Sequence, residues 1–515
     1  MKKLLFTLAA CTMCATGFAQ QRPADEWAYK VKSEAFNNSQ VEKLAQFMTD
    51  NMGSRLAASQ MKLRAEKMMV QRLNEMGFQG VKTESVWNFE NGGWDVEKTY
   101  AAMTAPYYCA YTVNPLAWSG STNGLVKGEC VLLDVKTAAD LDKYRGKLAG
   151  KIVLMPAMQT YSISFDPLAT RLTDKQLEEM ELDNRAKVSR RGGPAFDMAA
   201  YRAYRELRNA VNQMIKDEHA LCVINGSGTF NVPSASGVQY KVGDPEPTPQ
   251  LLMPIEDHGR MVRMIQNGEK VEMELELKNK FTDNKNINNV YAEIPGTDPK
   301  LKDEVVLLGG HFDSWHGGTG GADNASGCIV MIEALRILKD LGVKPKRTIR
   351  VALWGGEEQG LYGSRGYGNK YLYDFDQKKA LPGYDKFALY LNMDNGSGRF
   401  RGIYLEQNEM AKSFFKNWME PIEDLGFKTL SPNTTGSTDH VTFNYMGLPA
   451  YQFIQDDLEY DRTYHTIMDT YERLSIEDLK IDACITAWLA LCAANDANKI
   501  PVKPGYPEAA KALNY

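Results

Sequence analysis

Residues 305–327 read VVLLGGHFDSWHGGTGGADNASG and hold three side chains that can bind a metal ion, His311, Asp313 and Asp323. The apolar run at the start of this stretch predicts a buried strand, and the glycines that follow allow a sharp turn. Residues 324–341 then repeat apolar side chains at helical spacing, which predicts a helix with Asp323 at its start. The stretch therefore predicts a strand, a loop and a helix. Its candidate ligands lie at the carboxyl end of the strand, where open α/β sheets build their binding sites.

Strand and helix signals alternate along the second half of the chain. Apolar runs typical of buried strands occur at residues 289–294, 305–308, 348–354, 387–393 and 449–454. Helical periodicity separates these runs, and it also marks residues 39–48 and 59–77 near the start of the chain. This alternation predicts an α/β fold with a mostly parallel central sheet that is flanked by helices.

The part of the chain between these regions has a different texture. Residues 106–284 alternate short strand signals with polar loops, and they include a charged, helix-prone block at 173–218. We interpret this part as a β-rich domain inserted into a discontinuous domain that consists of residues 20–105 and 285–505. After a last predicted helix at residues 476–497, the chain is rich in proline and charge, which predicts a surface strap or a disordered end. We assign residues 506–515 to a separate tail.

The composition excludes some classes of partner. The chain has 515 residues, of which 43% are hydrophobic and 24% are charged, as expected of a globular protein. The formal net charge of -5 and the pI of about 5.9 show no basic field, so nucleic acid is not an expected partner. Beyond the N-terminus, no stretch approaches the roughly 18 uninterrupted apolar residues of a membrane helix.

The first 19 residues contain two lysines, an apolar run and small residues before Gln20, which is the pattern of a secretory signal peptide. We therefore expect a secreted or periplasmic protein. Two alternatives stay open, an N-terminal membrane anchor and lipoprotein processing at Cys11. Cys11 and Cys14 would leave with the signal peptide. The other cysteines show no paired metal-ligand spacing, and their disulfide pairing stays open.

Metal-capable or acid-base side chains accompany four of the predicted strands. They are His311 and Asp313, Glu357 and Glu358, Asp394, and His465. Carboxylates and imidazoles without thiolates suit divalent zinc, manganese or cobalt. The set therefore predicts a site for a divalent metal.

The order of these motifs resembles one family of enzymes. HxD, GADNASG, WGGEEQGLYGS, NMD and TYHTIMDT occur in the order found in the co-catalytic di-zinc aminopeptidase and glutamate carboxypeptidase family of metallopeptidases. The sequence looks most similar to the plasma glutamate carboxypeptidase-like branch, and the resemblance covers residues 30–105 and 285–500. That branch carries an inserted protease-associated domain, and LAGKIVLMP at residues 148–156 is similar to its characteristic strand. The resemblance implies a zinc-peptidase fold with a protease-associated-like insertion.

The resemblance also implies a ligand set for two divalent metals, zinc or another ion. Asp323 would bridge both metals. His311 and Asp394 would complete the shell of one metal, and Glu358 and His465 would complete that of the other.

Further carboxylates would act without binding metal. Glu357 would be the general base that accepts the proton of the attacking water and passes it to the leaving amine. Asp313 would orient His311, and Asp469 would have a similar role near His465.

One residue departs from the family pattern. The branch usually follows the bridging aspartate with a second acidic residue, whereas here Asn324 follows Asp323. Because Asn324 is not among the expected ligands, metal binding should be unaffected, but the local charge and the substrate preference are left open.

Other side chains near the motifs have open roles. His316 and His440 lie in predicted loops and are expected to be either exposed or in contact with substrate. Within residues 315–321 we expect substrate contacts. Tyr464 either donates a hydrogen bond to the oxyanion or packs beside His465.

The sequence thus favours a secreted, zinc-dependent exopeptidase that hydrolyses the terminal bonds of short peptides or dipeptides. Whether it recognises the amino or the carboxyl end stays open, as does homodimer formation. One alternative is a glutaminyl cyclase-like enzyme with a single zinc. Another is a non-catalytic, receptor-like interaction protein, although such a protein has no chemical reason to retain Glu357 and the full ligand set.

Overall fold

The computed structural model describes residues 23–156, 161–182 and 198–512. The expected signal peptide, residues 1–19, and the two cysteines within it lie outside the described residues. Among the helices that are described, none combines the length and the apolar character needed to cross a membrane.

The described strands form two eight-stranded sheets and a small two-stranded ribbon. In chain order the strands are β1 (Gln79–Asn88), β2 (Gly93–Ala105), β3 (Cys109–Ala110), β4 (Asn114–Pro115), β5 (Val126–Leu132), β6 (Ile152–Leu154), β7 (Cys222–Gly226), β8 (Gln250–Met253), β9 (Glu272–Thr282), β10 (Asn286–Ile294), β11 (Val305–His311), β12 (Thr348–Trp354), β13 (Tyr373–Asp374), β14 (Lys379–Ala380), β15 (Phe387–Asn392), β16 (Phe400–Tyr404), β17 (Thr429–Ser431) and β18 (Ala450–Gln455).

Helices cover and connect these sheets. In chain order the described α-helices are α1 (Pro23–Asn37), α2 (Val41–Gln46), α3 (Gln60–Glu75), α4 (Asp174–Met180), α5 (Met198–Asp217), α6 (Ile255–Gln266), α7 (Ser326–Asp340), α8 (Tyr362–Tyr371), α9 (Lys412–Met419), α10 (His440–Tyr445), α11 (Tyr460–Thr463) and α12 (Ile476–Asn495).

The first sheet has the order β1-β10-β12-β11-β15-β18-β16-β17. Its central neighbours β12, β11, β15 and β18 run parallel to one another, whereas β1, β10 and β16 pair antiparallel toward the edges. β15 and β18 are buried at every position, as expected of parallel strands that are covered on both faces. This arrangement confirms the predicted α/β class.

The second sheet has the order β3-β2-β9-β5-β6-β7-β8-β4 and draws on residues 93–282. The long strand β2 pairs with β9 rather than with the first sheet. Placing Gly93–Ala105 with the first 105 residues of the discontinuous domain was therefore wrong for this strand. The sequence pattern gave no sign that its partner lies so far along the chain.

The main core lies between the first sheet and the helices on one of its faces. α7 and α12 contribute many fully buried side chains to it, among them Ile329 and Leu335 from α7 and Leu479 and Leu489 from α12. α12 has apolar and small residues around most of its circumference, so it is buried along most of its length. The tail also packs inward, because Ala510 is buried among the aromatic side chains on the other face of the sheet. Most other described residues of the tail are exposed or half-buried, as expected of a surface strap.

Candidate metal centre

Three neighbouring parallel strands lead into the centre. β11 ends at His311, and β15 is followed two residues later by Asp394. After β12 the chain turns through Gly356, whose φ of 67° favours glycine, and then reaches Glu357 and Glu358. Because the carboxyl ends of parallel strands meet at one edge of a sheet, these side chains converge.

The structure brings the five predicted ligands together in two groups that share Asp323. In the first group, His311 Nε2 lies 3.0 Å from Asp323 Oδ1 and 3.6 Å from Asp394 Oδ1. In the second group, His465 Nε2 lies 3.1 Å from Asp323 Oδ2 and 2.8 Å from Glu358 Oε2. The two oxygens of Asp323 therefore face two different imidazoles.

The spacing and chemistry of these groups fit divalent metals. Tetrahedral zinc with ligand distances of about 2.0–2.2 Å separates its ligand atoms by roughly 3.3 Å. The measured pairs, from 2.8 to 3.6 Å apart, bracket that separation. In addition, Glu358 Oε1 is buried and has no hydrogen-bond partner within residues 23–156, 161–182 and 198–512. Nitrogen and oxygen donors of this kind suit zinc and similar ions.

The electrostatics of the centre also favour positive charge. Burial opposes protonation of His465, but Asp323 and Glu358 outweigh it and raise its pKa to about 10. Burial and the charge of Asp323 raise the pKa of Glu358 to about 8, although His465 acts in the opposite direction. Burial raises the pKa of Glu357 well above its ordinary value. The carboxylates thus attract protons, and a divalent cation would neutralise the same excess of negative charge.

Asp313 has a different contact from the one expected. Its carboxylate accepts the N–H of Glu357 at 3.1 Å and that of Glu358 at 3.3 Å. Nδ1 of His311 instead faces the main-chain carbonyl of Asp313 at 3.0 Å and lies 3.9 Å from its nearer carboxylate oxygen. The expectation that the Asp313 carboxylate orients His311 was therefore wrong. The carbonyl orients the imidazole, and the carboxylate fixes the glutamate pair.

Asp469 likewise supports a different residue from the one expected. Its carboxylate accepts the N–H of Ala322 at 2.6 Å and that of Asp323 at 3.0 Å. It therefore holds the main chain of Asp323 rather than the side chain of His465. Burial and the charge of Asp323 raise the pKa of Asp469 to about 7.

Asn324, the departure from the family pattern, is buried and uses both ends of its amide. Its Nδ2 donates to the carbonyl of Met393 at 2.8 Å, and its Oδ1 accepts the N–H of Gly327 at 2.9 Å. These contacts tie the start of α7 to the loop after β15. Asn324 therefore has a packing role in the structure and lies outside the two groups of candidate ligands.

The region of the second sheet contacts the centre directly. The N–H of Ala235 donates to the carbonyl of His465 at 2.6 Å. Nε2 of His316 donates to the carbonyl of Pro115 at 2.6 Å, and burial lowers the pKa of this imidazole to about 4. His316 thus attaches its loop to the second sheet rather than facing solvent.

His440 and Tyr464 are placed differently from each other. His440 is fully buried, and its Nε2 lies 3.3 Å from a carboxylate oxygen of Glu406. Tyr464 is partly exposed, and its ring stacks on that of Tyr460 beside the imidazole of His465. Of these two side chains, only Tyr464 lies beside one of the candidate ligands.

Arg55 is a component of the site that the sequence did not reveal. Its buried guanidinium donates to the carbonyls of Phe312 at 2.6 Å, Thr319 at 2.7 Å and Gly320 at 2.9 Å. A further hydrogen bond reaches the carbonyl of Gly53 at 3.0 Å. These contacts fix both ends of the loop between β11 and Asp323. No motif marks Arg55, because its partners are main-chain atoms and three of the four lie more than 250 positions away.

The centre opens into a small cleft. Its lining consists of Trp315, Gly318, Gly320, Asp323, Glu358, His465, Thr466 and Asp469. Three of these residues belong to the loop of residues 315–321, in which substrate contacts are expected.

The fold and the donor chemistry together define the class of protein. Paired nitrogen and oxygen ligands at the carboxyl edge of an α/β sheet, beside the half-buried Glu357, are suited to metal-assisted hydrolysis. Comparison with known proteins identifies the class as metallopeptidase. Residues 289–491 match the sequence profile of Peptidase family M28. This match includes all five candidate ligands.

Individual relatives agree with this assignment. Carboxypeptidase Q of Rattus norvegicus is 26% identical over 469 residues, which cover 90% of this chain and 87% of that protein. A peptidase M28 precursor from Shewanella amazonensis SB2B has a similar fold, with a TM-score of 0.66, 24% identity and coverage of 93% of this chain and 99% of that one. The zinc aminopeptidase BSAP from Bacillus subtilis is also similar in fold, with a TM-score of 0.54, 19% identity and coverage of 88% and 95%. The resemblance stated from the motifs is thereby confirmed.

Proposed function

We propose that the protein is a zinc-dependent exopeptidase that hydrolyses the terminal peptide bonds of short peptides or dipeptides. The observation that carries this proposal is the position of Asp323, whose two carboxylate oxygens face the imidazoles of His311 and His465. A carboxylate shared in this way suits two neighbouring cations. A relative named carboxypeptidase and a structural neighbour named zinc aminopeptidase support an exopeptidase. Together they do not decide whether the enzyme recognises the amino or the carboxyl end of its substrate.

Two divalent ions would each be held by one group of ligands. His311 and Asp394 would hold one ion, Glu358 and His465 would hold the other, and Asp323 would contact both. Ions in these positions would supply Lewis-acid chemistry that activates water and polarises the scissile carbonyl.

Glu357 is the residue that we assign to proton transfer. Burial raises the pKa of its carboxyl above the ordinary value, which makes it a stronger proton acceptor than an exposed glutamate. It would take the proton of the attacking water and return it to the leaving amine. Glu357 lies outside both ligand groups, and Asp313 fixes its main chain through the hydrogen bond to its N–H. Because Asp313 also accepts the N–H of Glu358, it holds the main chain of the base and of its metal-binding neighbour in a fixed arrangement.

The rest of the chain has proposed roles as well. We propose that residues 1–19 direct export to the periplasm or the medium. We also propose that residues 93–282 form an inserted protease-associated-like domain, since the chain leaves the first sheet after β1 and re-enters it at β10. The hydrogen bond from Ala235 to the carbonyl of His465 supports a role for this domain in shaping the centre.

The experiment that tests the function is hydrolysis of dipeptides and amino-acid anilides by the zinc-loaded protein and by its Glu357→Gln variant. We expect the variant to keep its metal and to lose activity by at least about a hundredfold, because general-base assistance typically contributes 10²–10⁴-fold. Glu42→Gln, at an exposed position on α2, is the matched control and should retain full activity.

Two results would contradict the proposal. Full activity of Glu357→Gln would contradict the assignment of proton transfer to Glu357. Cyclisation of peptides with N-terminal glutamine, without hydrolysis of any dipeptide, would favour a cyclase instead.

A further inference from the structure

The segment that carries His465 is a loop between β18 and α12. Residues 456–475, which we call the His465 loop, include the one-turn helix α11 and a short 3₁₀ turn at Tyr471–Arg473. His465 itself has a φ of 52°, a left-handed conformation that a residue with a side chain rarely adopts. Such a conformation persists only where surrounding contacts hold it in place. The position of this ligand therefore depends on what the loop contacts.

The main chain of the His465 loop is hydrogen-bonded to the proposed inserted domain, residues 93–282. Before the ligand, Leu458 exchanges two main-chain hydrogen bonds with Thr170, at 2.7 and 2.9 Å. The carbonyl of His465 itself accepts the N–H of Ala235 at 2.6 Å. Two parts of the inserted domain that lie far apart in the sequence thus hold the loop at and before the ligand.

These contacts attach the middle of the loop to the rest of the protein. Within the described part of the chain, every main-chain hydrogen bond that leaves residues 457–468 is made with one of three residues of the inserted domain, Thr170, Pro233 and Ala235. The inserted domain therefore supports the main chain around this ligand.

The first ligand group is built on the first sheet instead. β11 ends at His311, and Asp394 follows β15 by two residues. The two strands are neighbours in the centre of the sheet and pair with each other. The inserted domain thus acts on the second ligand group, through His465, rather than on the first.

Arg171 of the inserted domain joins the start of the His465 loop to the helix that follows the loop. Its guanidinium forms ion pairs with Asp456 at 2.8 Å and with Asp478 at 2.7 Å. Asp456 directly follows β18, and Asp478 lies in the first turn of α12. Both carboxylates are buried. Because a guanidinium presents its donors in a rigid fork, this one side chain sets the distance between the two ends of the loop.

Two other arginines contact the same carboxylates. Arg401 Nη1 lies 3.0 Å from Asp456, and Arg399 Nε lies 3.3 Å from Asp478. Each of these arginines forms an ion pair with one of the two carboxylates, whereas Arg171 forms ion pairs with both. Loss of the Arg171 guanidinium would therefore leave each buried carboxylate beside a cation, which protects the fold. It would remove the link between the two ends of the loop.

We propose that Arg171 is a positioning residue for the second ligand group. By joining the ends of the His465 loop, it fixes the place of His465 and so the affinity of that group for its ion. Docking of the inserted domain thereby controls one of the two metal positions, while the other forms at the strand ends of the first sheet. This inference rests on the proposed two-metal function and adds the contact that governs the second ion.

Zinc titration of the metal-free protein by isothermal titration calorimetry tests this role in two backgrounds. In Asp394→Ala, which keeps the second ligand group, adding Arg171→Met should weaken zinc binding about 10–100-fold, the usual cost of losing a residue that positions metal ligands. In His465→Ala, which keeps the first ligand group, the same addition should change zinc binding less than about twofold, as expected of independent sites. Arg145→Met is the matched control, because Arg145 also pairs with an aspartate of the inserted domain, at 2.8 Å, but both side chains are exposed.

A second measurement needs neither metal nor substrate. Hydrogen–deuterium exchange of the metal-free protein should be faster at residues 457–468 in Arg171→Met than in wild type, because the loop opens more readily. Residues 305–311 of β11 should exchange as in wild type. Arg171→Lys should restore only part of the protection, since a lysine ammonium lacks the fork of donors that spans both carboxylates.

Other outcomes would overturn the inference. Equal weakening of zinc binding in both backgrounds would show a general loss of stability instead of positioning. Unchanged zinc binding in the Asp394→Ala background would also overturn it, whether or not the loop exchanges faster. If wild type binds a single zinc ion, the two-metal function fails, whereas faster exchange at residues 457–468 would still show that Arg171 holds the loop. The two failures can thus be told apart.

Discussion

Arg55 shows how one buried side chain far from any motif supports the centre. Its guanidinium uses its planar set of donors to hold four main-chain carbonyls. The loop that it holds connects His311 to Asp323, so the separation of these two ligands depends on it. Arg55 also places a positive charge beneath a cluster of carboxylates.

Replacing Arg55 with methionine should destabilise the protein by about 3–5 kcal/mol, because buried carbonyls would lose their donors and the carboxylates would lose a nearby cation. Chemical denaturation measures this change. Arg64→Met is the matched control, since Arg64 also donates to two carbonyls, those of Asn51 and Met52, but lies at the surface. A loss below about 1 kcal/mol for Arg55→Met would contradict the role given to this residue.

Asp482 lies on α12 as a buried carboxyl group, and in the described part of the chain no ion pair joins it to a cation. Its Oδ1 accepts the N–H of Phe400 at 2.8 Å, while its Oδ2 has no hydrogen-bond partner among the residues described. Burial raises its pKa well above the ordinary value. The folded state therefore keeps a proton that the unfolded state releases above a pKa of about 3.9. Its contribution to stability falls as the pH rises from that value toward the folded pKa.

We expect Asp482→Asn to be more stable than wild type at pH 8 and similar to it near pH 4. Asparagine keeps the acceptor for Phe400 and removes the cost of ionisation, which is about 1.4 kcal/mol for each unit by which the pKa is raised. Thermal unfolding across this pH range is the measurement. Glu477→Gln on the same helix, where the side chain is 81% exposed, should show little change. A constant difference between Asp482→Asn and wild type at all pH values would refute this explanation.

The turn after β12 is the element on which the proposed catalysis depends most. Two glycines end the strand, and the two N–H groups that follow are both accepted by the Asp313 carboxylate. One carboxylate thus fixes both glutamates, although they have different proposed tasks. The pair keeps its geometry because its main chain is held from the neighbouring strand β11.

Asp313→Asn should lower kcat/KM by about 10–100-fold, the usual effect of removing a residue that positions metal ligands. The amide nitrogen of asparagine cannot accept a hydrogen bond from the N–H of Glu357 or Glu358. Steady-state kinetics with a dipeptide substrate measure this effect. Asp298→Asn is the matched control, because Asp298 also accepts two main-chain N–H groups, in an exposed turn far along the chain from the ligands. Wild-type kinetics for Asp313→Asn would refute the positioning role.

The sequence predicts elements well where burial sets a simple pattern. Residues 348–354 were expected as a strand and form β12. The helices expected at residues 324–341 and 476–497 form α7 and α12, and each begins and ends within two residues of the expected bounds. Periodicity and apolar runs report burial directly, and parallel strands are buried on both faces. The sequence did not predict that Gly93–Ala105 belongs to the second sheet. A pattern of apolar and polar residues can indicate a strand, but it does not indicate which strand it pairs with.

Contacts with main-chain atoms were the least predictable part of the site. The ligand candidates were identified through motifs, and the structure brings all five together. The expected contacts of Asp313 and Asp469 were wrong, because each carboxylate accepts main-chain N–H groups from another segment. Almost every residue has a main-chain N–H, whatever its side chain. The sequence therefore does not indicate which N–H a given carboxylate accepts.

The whole molecule should be more stable with metal than without it. The two ligand groups bring together carboxylates and imidazoles that are largely buried, and a cation would relieve the repulsion among the carboxylates. Metal that binds only the folded state also stabilises that state by mass action.

Removal of metal with a chelator should therefore lower Tm by several degrees, and added zinc should restore it. Calcium should not, since imidazole ligands favour zinc over calcium. Differential scanning calorimetry measures the change, and Asp323→Asn should show a smaller response to zinc because both ligand groups lose an anionic oxygen. Identical melting of chelated and zinc-loaded wild type would contradict a metal centre built from these residues.

The central claim is that Asp323 joins two separate metal positions, and the number of zinc ions per chain tests it most directly. Mass-spectrometric metal analysis after gel filtration of zinc-loaded protein provides this number. We predict two zinc ions in wild type and one in Asp394→Ala, because Asp394 belongs to only one ligand group. A single zinc ion in wild type, unchanged in Asp394→Ala, would contradict the claim.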